Sequence, residues 1–143
     1  MTNAAIDREG DVIEDSRQES ESVVSVEITV PLTPISGNHY KVPFVRGGRI
    51  NWCVTAEAKA FKEAIALFAR GQRIRCKFYA VEIYLCLGPK QRQDLDNCAK
   101  VILDGLVQAG VIDTDAKITC LTLHKKRATE PSTQITIWEG KKP

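Results

Sequence analysis

Arg73–Leu87, RIRCKFYAVEIYLCL, and the segment after it, Gly88–Gly110, GPKQRQDLDNCAKVILDGLVQAG, decide the fold. The first stretch is almost continuously apolar up to Gly88-Pro89, with Glu82 as its one interior acid. Such a run reads as a strand over Arg73–Leu87 that is buried on both faces and central in its sheet. Arg73, Arg75 and Lys77 alternate at its basic start. The second stretch reads as a helix from Asp94 or Leu95 to Ala109, ended by Gly110. Leu95, Ala99, Ile102, Leu103 and Leu106 make its apolar stripe. Asp96, Lys100 and Asp104 are four residues apart, so each is rotated only about 40° from the last and the three form a polar stripe beside the apolar one. That places the polar stripe at the edge of the buried face, where it can line a groove.

Outward from this centre, Val23–Val30 (VVSVEITV) is rich in β-branched residues and stops at Pro31, which reads as a first strand. A long connection follows, punctuated by Pro31, Pro34, Gly37, Pro43, Gly47 and Gly48 and carrying Asn38, His39, Tyr40, Lys41, Arg46 and Arg49. A connection of this length is functional or a mobile hairpin more often than inert. Thr55 is a good N-cap for a helix from Ala56 to Arg70, with Ala60, Phe61, Ala64, Ile65, Leu67 and Phe68 on its broad apolar face and Gly71 at the stop. Ile118–His124 and Thr133–Trp138 read as two short strands joined across Glu130 and Pro131. The order strand, helix, strand, helix, strand, strand predicts an α+β domain, a mixed sheet with helices mainly on one face.

At 143 residues the chain suits one domain with a sizeable core. No apolar run reaches the roughly 18 residues of a membrane helix, and the start lacks a signal-peptide pattern, so a cytoplasmic location is expected. The five cysteines are scattered, without a Cys-x-x-Cys pair and with only two histidines beside them. This argues against most zinc sites and a disulfide framework, and for buried reduced thiols.

The net charge of +2 conceals a segregation. Residues 1–22 carry seven acids against Arg8 and Arg17 and read as a disordered acidic tail, leaving 23–143 as the folded domain. Five of the eleven remaining acids fall in one window: Asp94, Asp96, Asp104, Asp113 and Asp115. Outside that window the domain has 17 basic and 6 acidic side chains. A basic body draws polyanions. The acidic spot would repel the same phosphates unless a divalent cation occupies it, and this is the charge layout of a metal-dependent nuclease. A solvated basic face with aspartates as helix caps is the alternative from charge alone.

One aspartate at a helix start is ordinary capping. Asp94 and Asp96 together, with Asp113 and Asp115 after the helix, exceed what capping needs. Hard divalent cations take oxygen ligands, and paired ions can activate water and stabilise the leaving oxygen of a phosphodiester. An EF-hand loop wants a further ligand and then Gly where this chain has Cys98 and Ala99.

The stretch Arg92-Gln93-Asp94-Leu95-Asp96-Asn97, with Lys100, Asp104, the Ala109-Gly110 helix end and Asp115-Ala116, resembles the RusA family of Holliday-junction resolvases. The resemblance runs more loosely over residues 24–138. It implies a small homodimeric, Mg²⁺-dependent endonuclease, with Mn²⁺ as a possible substitute, that cuts paired strands symmetrically at four-way DNA junctions. It also implies Asp94, Asp96 and Asp115 as metal-binding carboxylates and Lys100 as a catalytic or phosphate-contacting base. Where family members can carry an Arg run before the motif, this chain has Lys90-Gln91-Arg92-Gln93. The residues expected on DNA are Lys41, Arg46, Arg49, Arg73, Arg75, Lys77, Lys90 and Arg92. A non-catalytic nucleic-acid-binding module and a less selective branched-DNA nuclease are the competing readings.

Overall fold

The computed structural model describes residues 25–34 and 41–143. The expected acidic tail lies outside them, as do Val23, Val24, Asn38, His39 and Tyr40. In chain order the elements are β1 (Ser25–Val30), β2 (Lys41–Arg46), β3 (Arg49–Val54), α1 (Ala56–Ala69), β4 (Tyr79–Leu87), α2 (Leu95–Gln108), a 3₁₀ turn (Asp115–Lys117), β5 (Ile118–Arg127) and β6 (Ser132–Glu139). The main sheet has the order β1-β6-β4-β5, and β2 and β3 form a separate two-stranded ribbon. β4 pairs parallel with β5 and antiparallel with β6, which pairs antiparallel with β1, so the sheet is mixed. This is the α+β domain expected, with β4 central.

One face of the sheet carries the core. Val26, Ile28 and Val30 alternate inward on β1, as do Val81, Ile83, Leu85 and Leu87 on β4 and Ile135 and Ile137 on β6. Both helices bury their apolar stripes in the same cluster, α1 through Phe61 and Ile65 and α2 through Cys98, Val101, Ile102 and Leu106. The helices approach closely at Gly105, where a Cβ would lie 2.6 Å from the Ile65 Cδ1 atom. No helix among the described residues is long and apolar enough to cross a membrane.

Four local expectations need correction. The strand assigned to Arg73–Leu87 begins at Tyr79, because Ile74 N–H and the Arg75 guanidinium are engaged with the turn after α2. Ile74 donates to the Val111 carbonyl at 2.9 Å, and Arg75 donates to the carbonyls of Val111 and Gly110 at 3.0 and 3.1 Å. β4 is buried on both faces at its ends but only half-buried on the outer face at Glu82 and Tyr84. There Glu82 meets His124 at 2.7 Å, and the Tyr84 ring stacks on the His124 ring at 4.1 Å. On α1, Leu67 and Ala60 face solvent, and Ala58, Lys62 and Ala69 are buried instead. Of the thiols, Cys86 and Cys98 are buried, whereas Cys53 and Cys120 are exposed.

Candidate active site

β1, β4 and β5 run parallel to one another, so their C-terminal ends lie at the same end of the sheet. Asp94 follows β4 at that end, across the turn Gly88–Gln93. Its backbone is extended, at φ −87° and ψ 135°, and its carbonyl accepts the first helical bond from Cys98 N–H at 3.1 Å. Its carboxylate does not cap the helix. It accepts instead from the Asn97 amide at 3.3 Å and is exposed. Asp96 is exposed in the first turn, and Lys100 stands one turn further, 3.7 Å from Asp104. Both aspartates lie where the helix dipole favours negative charge.

The floor of this site is anchored from several elements. Gln93 donates to Thr33 Oγ1 and the Pro34 carbonyl at 3.2 and 3.3 Å, and Gln91 donates to Thr33 Oγ1 at 3.0 Å. Gln93 Oε1 is buried and has no hydrogen-bond partner among the described residues. Beneath the helix start, burial, then the negative charge of Asp94, pushes the Cys98 thiol up to about 11, so it stays protonated. Lys90 lines an open groove of about 440 Å³ between the Gly88–Gln91 turn and Pro131. Arg92 is exposed beside it. Sequence reasoning missed Lys125, which donates to the Gln93 carbonyl at 3.0 Å, and Arg127, which donates to the Gly88 carbonyl at 3.0 Å. Both alternate on the helix side of β5, and the signal for them was the basic run Lys125-Lys126-Arg127 at the end of a strand parallel to β4.

Asp115 is elsewhere. It opens the 3₁₀ turn that leads into the start of β5, beyond the far end of α2. A helix of 14 residues is about 21 Å long. No group of three metal-ligating side chains forms among the described residues. Within one chain the structure therefore brings Asp94, Asp96 and Lys100 together and leaves Asp115 apart. Arg73, Arg75 and Lys77 precede β4 at the end of the sheet where β5 begins after Asp115, whereas Lys90 and Arg92 precede Asp94 in the turn after β4. Lys41, Arg46 and Arg49 are exposed on the ribbon.

The two acids of Asp113-Thr114-Asp115 are not equivalent. Lys117 and Tyr79 donate to the Asp113 carboxylate at 2.7 and 2.6 Å and hold it well below the usual carboxylate range. Asp113 is thus committed to the fold, and Asp115 is exposed. Glu82, on the outer face of the sheet, is committed to His124.

A pair of carboxylates at a helix start, a lysine one turn on and a basic surround are hard-cation and phosphate chemistry rather than nucleophilic or redox chemistry. Among curated proteins nothing matches the sequence. The family model described as endodeoxyribonuclease RusA matches residues 31–138, a span that holds the helix start, the far aspartate and the ribbon. On that match, which covers most of the chain, the protein belongs to the RusA endodeoxyribonuclease family.

Proposed function

We propose that the protein is a divalent-metal-dependent endonuclease that cuts four-way DNA junctions, as a homodimer, by hydrolysis of one phosphodiester in each of two opposed strands. The observation that carries this reading is the pair Asp94 and Asp96, exposed at the start of α2 and not consumed by capping, inside the family match. Their oxygen donors fit Mg²⁺, which borrows one or two carboxylates and keeps several waters, and Mn²⁺ takes the same ligands. When bound, the cation supplies activation of water and neutralisation of the charge on the leaving oxygen. Asn97 fixes the Asp94 carboxylate, Lys125 steadies the Gln93 backbone before it, and Lys100 offers a cation to the phosphate undergoing cleavage.

The place of Asp115 supports a shared site. A two-fold axis that sets two copies of α2 side by side and antiparallel puts the Asp115 end of one against the Asp94 end of the other. Each of the two sites then has carboxylates from both subunits, and Arg73, Arg75 and Lys77 of one copy join Lys90 and Arg92 of the other in one basic surface. Two equivalent sites about a two-fold axis suit two opposed cuts.

The test is a cleavage assay on four-way, three-way and linear DNA of matched sequence, with and without Mg²⁺. Paired cuts in the four-way junction that require Mg²⁺ are expected. Binding of all three without any cut, in Mg²⁺ or Mn²⁺, would instead make the protein a non-catalytic binding module.

A further inference from the structure

The ribbon β2–β3 has two unlike faces. Residues directly opposite in an antiparallel pair point to the same side. The register therefore groups Lys41 with Val54, Pro43 with Trp52 and Val45 with Ile50 on one face. The other face takes Val42 with Cys53, Phe44 with Asn51 and Arg46 with Arg49. Beyond Lys41 the first face is wholly apolar, yet Val45, Ile50 and Trp52 are 74%, 70% and 63% exposed. The second face ends in two arginines at the Gly47-Gly48 turn, where φ is 59° and 77°. A two-stranded ribbon alone is marginal in water, and an apolar strip left open in this way marks a binding surface.

We propose that this apolar face seats against nucleobases uncovered at a DNA branch point, while Arg46 and Arg49 hold phosphates from the opposite face. The inference rests on the branched-DNA reading above and deepens it. Charge chooses nucleic acid as the occupant, because residues 41–54 contain three cations and no acid. Position agrees. The Gln72 side chain beyond the end of α1 reaches the Glu27 carbonyl on β1, so Thr55 at the other end of α1 lies toward the end of the sheet where β1 stops. That is also the end of Asp94 and Asp96, and the ribbon leaves the body there. Chemistry supplies the selectivity. An indole flanked by Pro43, Val45 and Ile50 can cover the flat face of a base, but in intact duplex those faces are already covered by neighbouring bases. The contact is available only where stacking is broken, so branch preference follows without any reading of base edges.

The experiment uses the full chain, without divalent metal so that nothing is cut. Its ligands are a four-way junction with 2-aminopurine at the branch point and a linear duplex of the same arm sequence. Wild-type protein should bind the junction more tightly and quench the fluorescence of the unstacked 2-aminopurine, because the indole covers its face. Trp52→Ala should weaken junction binding about tenfold, the scale of one base–aromatic contact, lose several-fold less on linear duplex, and abolish the quenching. Val45→Ser with Ile50→Ser should act in the same direction, and thermal melting checks that both variants remain folded. A selective wild type whose variants keep the same junction preference and the same quenching overturns this inference alone. So does a wild-type dimer that the substitutions convert to monomer in sedimentation, since the strip then belongs to a second copy. A wild type with no preference among DNA forms and no cleavage in Mg²⁺ overturns the branched-DNA reading and this inference with it.

Discussion

Asp94 and Asp96 are separated by one residue, as are Asp113 and Asp115, yet the two pairs divide differently. The first pair stays exposed, whereas the second splits into Asp113, tied to Tyr79 and Lys117, and an exposed Asp115. Asp96→Asn keeps size and removes a ligand charge, so cleavage should fall by at least about a hundredfold while junction affinity holds or rises, since less negative charge faces the phosphates. Gel binding beside a cleavage time course checks both halves, and a near wild-type rate in Mg²⁺ would remove Asp96 from the metal site. Lys100 faces a simpler alternative, an exposed i,i+4 pair with Asp104 worth about 0.2–0.5 kcal/mol. Lys100→Ala should leave the urea midpoint nearly unchanged and slow cleavage more than tenfold. Tyr79→Phe is the converse case. It removes the hydrogen bond of a fully buried ring to an exposed carboxylate, and should lower unfolding free energy by about 0.5–1.5 kcal/mol in a urea titration. The residues of the site were legible from the spacing because four-residue steps fix a face of a helix. The partnership of Asp113 with Tyr79 spans 34 positions, and no local pattern announces it.

Elements meet at two glycines with different tolerances. At Gly105 an added Cβ would press on the Ile65 Cδ1 atom, the tip of a side chain. At Gly140 it would fall 2.7 and 2.8 Å from the carbonyl carbon and oxygen of Tyr79, which are backbone. Ala in place of Gly gains about 1 kcal/mol inside a helix, and overpacking costs about 1–3 kcal/mol. Gly105→Ala should therefore come out within about 1 kcal/mol of wild type, and Gly140→Ala should lose more than about 2 kcal/mol, since the Tyr79 backbone is held by strands on both sides. Chemical denaturation of the two variants side by side would expose the reverse order if the contact argument is wrong. The six elements first read from the sequence are all present, because apolar period and stop signals are local. The ribbon falls in the connection that the sequence reads as functional or a mobile hairpin, and Pro43 with an outward-facing apolar pattern disguises the bounds of its two strands. The sequence pattern puts the start of β4 too early because alternation of charge alone mimics a strand there, whereas Arg75 is drawn to carbonyls 35 and 36 positions away.

At the scale of the whole molecule, a site shared between subunits has a consequence that a site within one chain lacks. Asp96→Asn and Asp115→Asn should each be inactive alone. In a mixed dimer of the two, one site loses both aspartates and the other keeps both, so equal mixing by co-refolding should restore about a quarter of the complete sites. The product should be single nicks rather than paired cuts. No recovery from a mixture shown to contain mixed dimers would place all the carboxylates within one chain. The basic surface makes a second global prediction: replacing Arg46 and Arg49 together by Ala should flatten the plot of log affinity against log salt by about one to two units on duplex arms. The family and the helix-start carboxylates were legible from one stretch of sequence. The distance to Asp115 was not, because it depends on a straight helix of 14 residues standing between two motifs that look adjacent in the alphabet of the chain.

The order β1-β6-β4-β5 also sets a timetable. Ser25 pairs with Trp138, and Val30 with Thr133, so the earliest described strand has no neighbour until the last one exists. β4 meanwhile has β5 on one flank and an open edge on the other. During synthesis a chain stopped before Ser132 has an exposed β4 edge and an unanchored β1, and contacts of such sequence separation are slow to close. A nuclease assembled in this order cannot cut before β6 has been made, and a ribosome stalled short of β6 holds a polypeptide suited to proteolysis rather than a partly active enzyme.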